Sequence, residues 1–307
     1  MSDTLLSSLL QSTVTMAVPL LFAALGELLA ERAGVINIGL EGMLLAGAFA
    51  AMVTTYFTGL PVLGLLGAWG AGMALAALFA YVVIVRRGNQ VVVGTALNLL
   101  AIGLTGVAYR AVFGVTGAAL TVAGFPAVAI PVLSSLPIVG AALFVQSPLG
   151  YLALALVPAL SFGLHRTLPG LKLRMVGEHP RAAVAQGISA SRTQALAVVA
   201  CGALAATGGA YLAVAYAHTF VEGMSAGRGF IALAIVIFGR WSAWGILGTA
   251  LLFGLATALQ FHVQALGLQI PYQFLLMLPY VLTLLALAGY AGTTRAPAAL
   301  GVPLDGE

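Results

Sequence analysis

Apolar stretches separated by short polar breaks run along nearly the whole chain. They lie near residues 5–29, 39–57, 60–85, 91–113, 147–164, 194–217, 229–239, 243–262 and 272–290. A helix needs roughly 20 apolar residues to cross the hydrocarbon core of a bilayer, so the stretch at 229–239 is too short to span it alone. The pattern predicts an all-α, polytopic helical bundle of about 8–10 spans.

The composition supports a membrane protein. Of the 307 residues, 62% are hydrophobic and only 7% are charged, and the mean hydropathy is +1.10. Because a soluble domain carries about 25% charged residues, this chain could not cover a water-facing surface. We therefore expect one integral transmembrane domain over residues 1–307. The basic residues form no cluster with interleaved aromatic residues, which argues against nucleic-acid binding.

Basic residues mark one side of the predicted bundle. Cytoplasmic loops of membrane proteins carry an excess of Lys and Arg. Three clusters would share a side: Arg86 with Arg87; Arg166, Lys172, Arg174, Arg181 and Arg192; and Arg295. That side should be the cytoplasm, which places the N-terminus outside.

Two further segments can be assigned from the sequence. The stretch 114–146 is interrupted by Pro126, Pro131 and Pro137 and is predicted to be an extracytoplasmic loop with room for a re-entrant piece. No Lys or Arg precedes Arg32, so the first apolar stretch is expected to be a retained helix rather than a signal peptide.

Small residues indicate how the helices pack. Closely spaced glycines let membrane helices approach one another and predict a tight bundle. They include Gly64, Gly67, Gly70 and Gly72 in one span, and Gly202, Gly208 and Gly209 in another. The single cysteine, Cys201, cannot form an internal disulfide and is expected to be a packing residue.

Polar residues at the junction of the first two spans are the first candidate site. Residues 31–43 read ERAGVINIGLEGM, and Asn37 and Glu41 would share a face if this segment is helical. Because ionisable groups at membrane depth usually face an aqueous path, Asn37, Glu41 and Asn98 are predicted to line the translocation path. The alternative is that Asn37 caps the second helix and Glu41 lies at headgroup level.

Other polar residues inside spans have a simpler explanation. Asn98, Gln260 and His262 could each hydrogen-bond a neighbouring helix. Arg110 lies near a span end, where its guanidinium could reach the interface.

The basic loop 166–193 is the second candidate site. Pro180 suits the first turn of a helix, Arg181 to Gln186 would form that short helix, and Gly187 would end it. Such a helix offers a surface to another protein, although the loop could instead only fix topology. The residues predicted to couple to a partner are Gly177, Glu178, Pro180, Arg181, Ala182, Ala183 and Gly187.

Two sequence patterns bear on catalysis. Residues 223–227 match G-x-S-x-G, but they lie between membrane helices without a recognisable spacing to His218, Glu222 or His262, which leaves an intramembrane hydrolase as a remote alternative. The chain contains no G-x-x-x-x-G-K-[ST] phosphate loop. If ATP drives this protein, its ATPase is therefore another subunit, and we expect no cofactor in this chain.

Three segments resemble one family. ERAGVINIGLEGM at 31–43 resembles the opening signature of permease subunits in the ABC importers of branched-chain amino acids, ribose-type sugars and nucleosides. LRMVGEHPRAA at 173–183, continuing to Gly187 and Ile188, is similar to that family's ATPase-coupling segment. Residues 231–254 resemble the glycine-rich turn that follows, although Arg240-Trp241-Ser242-Ala243-Trp244 departs from it. The first segment looks most like the nucleoside (simple-sugar) permeases.

The resemblance implies a fold and a set of partners. The fold would be that of a type II ABC importer, akin to the vitamin B12 importer, in the bacterial cytoplasmic membrane. The partners would be an ABC ATPase that binds ATP-Mg, a second related permease subunit and an extracytoplasmic solute-binding protein. The solute would be a nucleoside, with sugar or branched-chain amino acid as alternatives. An ion-driven secondary transporter is the remaining rival, although few acidic residues lie within the spans.

Overall fold

The computed structural model describes residues 2–114, 120–137, 139–265 and 296–303, together with positions 274, 277 and 281. The predicted span at 272–290 and the basic residue Arg295 lie outside this part of the chain, apart from those single positions.

The described chain is almost entirely helical. Its helices are α1 (Ser2–Arg32), α2 (Leu40–Thr58), α3 (Pro61–Ala80), α4 (Gln90–Phe113), α5 (Val139–Phe144), α6 (Pro148–Arg166), α7 (Leu168–Glu178), α8 (Pro180–Ala185), α9 (Ala190–Ala210), α10 (Arg228–Phe238) and α11 (Ala243–Ala265). Helices α3 and α9 continue as π-helical turns over Tyr81–Val85 and Tyr211–Tyr216. Within the described residues, 7 helices are long and apolar enough to cross a membrane, and α10 is shorter.

Capping residues explain where several helices begin and end. The Asn89 side chain accepts hydrogen bonds from the N–H groups of Val91 and Val92 at the start of α4. Ser147 caps α6 and Ser189 caps α9 in the same way. Gly59 ends α2 with a φ of 71°, a left-handed conformation that glycine adopts without steric cost.

The predicted loop 114–146 contains short elements of its own. Two-residue strands, β1 (Val128–Ala129) and β2 (Val145–Gln146), pair in antiparallel fashion. A 3-10 turn at Leu133–Ser135 and the helix α5 lie between them, and α5 packs against α1. The loop therefore folds back onto the bundle.

Helix α9 is the centre of the bundle and packs against α1, α2 and α3. Glycines permit this contact, as predicted: a Cβ on Gly72 would collide with Gly202 and Ala206, and a Cβ on Gly202 would collide with Gly72 and Ala76. Gly47 in α2 meets Ala206 in the same way. These helices are therefore held at backbone-to-backbone contact distance.

Several helix ends meet at one end of the bundle. Gly177 in α7 lies against the carbonyl of Arg32 at the end of α1. The side chain of Gln194, near the start of α9, donates to the Ala33 carbonyl at 3.0 Å. Because Arg166, Lys172 and other basic residues lie here, the positive-inside tendency assigns this end to the cytoplasm.

Substitution of the small residues between α3 and α9 should destabilise the bundle. We expect Gly72→Leu to lower the free energy of unfolding by at least about 1–3 kcal/mol, because the core is already full at this position. Thermal unfolding of the purified chain in detergent measures the change.

Gly70→Leu is the matched control, since a Cβ at Gly70 would have no atom within 4 Å. Equal losses of stability from both variants would contradict this packing.

Candidate functional site

The segment that joins α1 to α2, residues 33–39 and here called the link, is not helical and runs back beside α1. The Val35 N–H donates to the Ala30 carbonyl at 3.0 Å, which folds the link against the last turns of α1. Irregular backbone at membrane depth must have its polar groups satisfied by protein or water. The contacts of the link with the helices around it meet this requirement.

Three amide side chains from two other helices, α4 and α9, hold the backbone of the link. Gln90 in α4 accepts the Ile36 N–H at 2.8 Å, and Gln194 in α9 donates to Ala33. Asn98 in α4 donates to the Ile38 carbonyl at 2.9 Å and accepts the N–H of Gly42, in the first turn of α2, at 2.8 Å. Asn98, a predicted path residue, therefore fixes the link and the start of α2 to α4.

Asn37 lies in a fully buried polar cluster behind the link. Its N–H donates to Glu27 Oε1 at 2.8 Å, and its side-chain Nδ2 lies 3.3 Å from Met43 Sδ and 3.5 Å from Cys201 Sγ. The Cys201 thiol in turn donates to Glu27 Oε2 at 3.4 Å. Asn37 Oδ1 is buried and has no hydrogen-bond partner.

The expected relation between Asn37 and Glu41 is wrong in its geometry. Asn37 precedes α2, so the two side chains do not share a helix face, and the cap position is occupied by Gly39 without a side-chain hydrogen bond. The alternative that Asn37 caps α2 is therefore wrong as well. The part that either residue plays in translocation stays a prediction.

Glu41 anchors the short helix α10. It is 6% exposed, and its two carboxylate oxygens accept the N–H groups of Gly227 at 2.8 Å and Gly229 at 2.6 Å. These donors belong to the first turn of α10, where a carboxylate is favourable for the helix dipole. Gly229 allows the approach, because a Cβ there would collide with the backbone of Glu41.

Glu31 and Arg32 hold the opposite end of α10. The buried indole of Trp241 donates its N–H to Glu31 Oε2, and the Trp241 carbonyl accepts from Arg32 Nε at 3.1 Å and Nη2 at 2.7 Å. Arg240 and Trp241 adopt positive φ values of 54° and 50° in the turn between α10 and α11. Trp241, where the sequence departs from the glycine-rich pattern, therefore ties the turn after α10 to the end of α1.

The loop 166–193 folds into α7 and α8 outside the long helices. As predicted, Pro180 lies in the first turn of the short helix, and Gly187 follows it with a φ of 76°. The predicted coupling residues divide into a buried group and an exposed group. Gly177 and Ala183 are buried and Glu178 is half-buried, whereas Arg181, Ala182 and Gly187 are exposed.

An apolar groove of about 380 Å³ lies on the exposed side of α7 and α8. Its neighbour Val184 is 41% exposed, and two leucines on its wall, Leu168 and Leu171, are 72% and 53% exposed. The groove is lined by Leu168, Leu171, Lys172, Met175, Ala182, Gln186 and Ile188. Exposed apolar residues on a polar end of a protein indicate a binding surface.

The C-terminal segment 296–303 connects α7 to the link. The Ala299 N–H donates to the Gly177 carbonyl at 2.9 Å, and the Gly301 N–H donates to the Gly34 carbonyl at 3.0 Å. The Ala298 N–H donates to Glu178 Oε2 at 3.2 Å. The Glu178 carboxylate therefore bonds the segment 296–303 of this chain and is not directed at the exposed side of α7 and α8.

Sequence reasoning missed three of these features. Glu27 lies inside an apolar stretch, and only its charge at membrane depth could have singled it out. Neither the indole contact of Trp241 nor the contact of residues 296–303 with α7 has a local sequence signal. The residues of G-x-S-x-G lie in turns after a π-helical segment rather than in a strand–turn–helix, and Arg228 donates to the Ser225 carbonyl at 3.2 Å.

The arrangement defines a class of protein. Within the described residues, the structure has 7 long apolar helices and a link whose backbone is held by polar side chains of α4 and α9. An exposed segment formed by α7 and α8 contacts the end of α1 and the link at Gly177. Such a molecule is a multi-pass membrane transport subunit. The chain belongs to the family of permease components of branched-chain amino acid transport systems, whose model matches residues 9–287.

Individual relatives extend this result over almost the full length. The chain is 38% identical to the guanosine ABC transporter permease protein NupQ of Bacillus subtilis over 97% of both chains. It is 37% identical to the nucleoside ABC transporter permease protein NupC of Lactococcus lactis over 92% of both chains. It is 42% identical to the putative glucose ABC transporter permease protein TsgC13 of Haloferax volcanii over 85% of this chain and 79% of that one. No solved structure gives a significant match.

Removal of the indole N–H should loosen the turn after α10. We expect Trp241→Phe to lower the free energy of unfolding by about 1–3 kcal/mol, because the Glu31 carboxylate would lose one of its hydrogen bonds in a buried site. The midpoint of thermal unfolding in detergent reports the loss.

The control is Trp244→Phe, because Trp244 lies close by and is 57% exposed. Its effect should stay within about 0.5 kcal/mol. A similarly small effect at both positions would show that the Trp241–Glu31 contact does not stabilise the turn.

Proposed function

We propose that this chain is the permease subunit of an ATP-driven, binding-protein-dependent importer of nucleosides. The observation that carries the proposal is the 38% identity to a guanosine permease over 97% of both chains. A second nucleoside permease is similar over 92% of both chains. The glucose permease relative is 42% identical but aligns with 85% of this chain, so a sugar is the competing solute.

The exposed α7–α8 surface supports an ATPase partner. A short helix beside an apolar groove, on the end assigned to the cytoplasm, suits insertion into a cleft of another protein. ATP and Mg²⁺ would be bound there, since this chain has no phosphate loop. A second, related permease would complete the pore, and a solute-binding protein would deliver nucleoside at the opposite end.

The buried side of the α7–α8 segment supports a route for conformational change. Gly177 lies against Arg32, and Arg32 binds the turn after α10 through the Trp241 carbonyl. Movement of α7 would therefore displace the end of α1, the link and α10 together. In this proposal Asn37, Glu41 and Asn98 act in the helices that rearrange around the path, and alternating access needs only different contacts in two states.

Uptake by the assembled complex tests the function. We expect proteoliposomes that contain both permeases and the ATPase, supplied with the binding protein, to accumulate radiolabelled guanosine and uridine when ATP is present. Labelled glucose is the comparison solute. ATP-independent uptake driven by an ion gradient would support the secondary transporter, and accumulation of glucose alone would support a sugar importer.

A charged residue on the exposed side of α8 should uncouple the two subunits. We expect Val184→Glu to reduce nucleoside uptake at least about tenfold, because an unpaired carboxylate would be buried in the ATPase interface. Initial uptake rates and co-purification of the ATPase measure the effect.

Val85→Glu is the matched control. Val85 is an apolar residue that is 64% exposed, and its segment, Tyr81–Val85, packs mainly against α3, α4 and α9. An unchanged uptake rate and normal ATPase binding in the Val184→Glu variant would exclude α8 as the docking element.

A further inference from the structure

Helix α1 carries a polar stripe in its first half. Ser8, Gln11, Ser12 and Thr15 recur with the i, i+3, i+4, i+7 spacing of one helix face. The candidate span begins at Leu6, so Gln11 and Thr15 lie about 8 and 14 Å along the helix axis from its start. Polar side chains at such depth usually face protein or an aqueous cavity rather than lipid.

The stripe faces a cavity rather than a closed interface. A cleft of about 270 Å³ lies between α1, the π-helical segment Tyr211–Tyr216 and α11. We call it the outer cleft, and it is lined by Gln11, Ser12, Thr15, Met16, Tyr216 and Phe261. Its size is close to the lower limit of about 300 Å³ for small-molecule sites. Single π-helical turns are frequent at functional sites.

The outer cleft opens at the end of the bundle away from the basic clusters. The beginning of α1, the end of the Tyr211–Tyr216 segment and the end of α11 form it, whereas Arg32, α7 and α8 lie at the other end. It is therefore on the side where a binding protein would release solute.

Some polar groups beside the cleft are already paired. The Thr15 hydroxyl donates to the Gln11 carbonyl at 2.9 Å. His262 Nδ1 lies 2.9 Å from the Ala258 carbonyl, and its Nε2 lies 3.4 Å from Ser8 Oγ.

Other groups in the cleft are available to a ligand. Among the described residues, the side chains of Gln11, Ser12 and Tyr216 have no hydrogen-bond partner. Tyr216 and Phe261 are 43% and 48% exposed and present aromatic rings to the same space. The lining contains no charged side chain. The cleft thus combines an amide, hydroxyl groups and aromatic rings without a net charge.

We propose that the outer cleft is a solute-contact site for neutral, hydroxylated heteroaromatic molecules, the chemical class of nucleosides. The aromatic rings would stack on the base, since every base has a π-face, and Gln11 and Ser12 would hydrogen-bond the sugar or base. The site deepens the proposed function and rests on it for the identity of the solute. It adds a contact region in the outer half of the bundle, distinct from the polar residues around the link.

Cysteine accessibility tests contact directly, without ATP. The native Cys201 is fully buried, so the wild-type chain, isolated after treatment of intact cells, provides the unlabelled background for this subunit. We expect a membrane-impermeant thiol reagent to label Ser12→Cys from outside, and saturating uridine, but not glucose, to slow the labelling several-fold. Thr13→Cys, at a 6% exposed position on the same helix, should remain unlabelled.

Each other result overturns the proposal. An unlabelled Ser12→Cys would show that the cleft is closed to water. Labelling that uridine does not slow would show an aqueous vestibule without solute contact.

Transport kinetics provide an independent readout. We expect Gln11→Leu and Tyr216→Leu to raise the KM for uridine uptake about tenfold, the loss expected for a hydrogen bond or a stacked base, while ATPase binding is retained. Tyr216→Phe should restore most of the affinity because it keeps the ring. Thr13→Val and Tyr56→Leu are matched controls outside the cleft.

Kinetics also separate the two proposals. If the wild-type complex does not take up nucleoside with ATP, the proposed function fails. If it does so and the cleft variants keep the wild-type KM, only the cleft proposal fails.

Discussion

The need to satisfy backbone polar groups away from water governs the arrangement of this protein. The link between α1 and α2 leaves helical structure inside the bundle, and lipid offers no hydrogen bonds to its exposed N–H and C=O groups. Side chains from α4 and α9 supply them instead, through Gln90, Asn98 and Gln194. Helices that are distant in sequence are thereby joined at one irregular segment, which follows the end of α1.

The same segment connects the two regions that a transporter must coordinate. On one side Glu41 binds the start of α10, and Glu31 and Arg32 bind the turn at its end, so both ends of this short helix are attached to residues at the ends of α1 and α2. On the other side Gly177 brings α7 against Arg32. A rigid connection from an exposed cytoplasmic helix to a membrane-embedded one is what an importer driven by a separate ATPase requires.

Local patterns predicted the elements well and their contacts poorly. The apolar stretches, Pro180 and Gly187 located the helices and α8, because span length and helix termini are decided by neighbouring residues. A helix over residues 37–41 would place Asn37 and Glu41 on one face, but residues 33–39 are not helical and α2 begins at Leu40, so Asn37 lies outside the helix that carries Glu41. Contacts such as that of Trp241 with Glu31 join residues far apart in sequence, and the hydrophobic periodicity of the chain does not predict them.

The central claim is that motion of the α7–α8 segment reaches the link through the close contact at Gly177. The most direct measurement is the number of nucleoside molecules taken up per ATP hydrolysed by complexes containing Gly177→Ala, with Gly163→Ala as control because a Cβ at Gly163 has no atom within 4 Å. We predict that Gly177→Ala leaves assembly and ATP hydrolysis in place and lowers this ratio several-fold, while the control keeps the wild-type ratio. An unchanged ratio in a normally assembled Gly177→Ala complex would contradict the account.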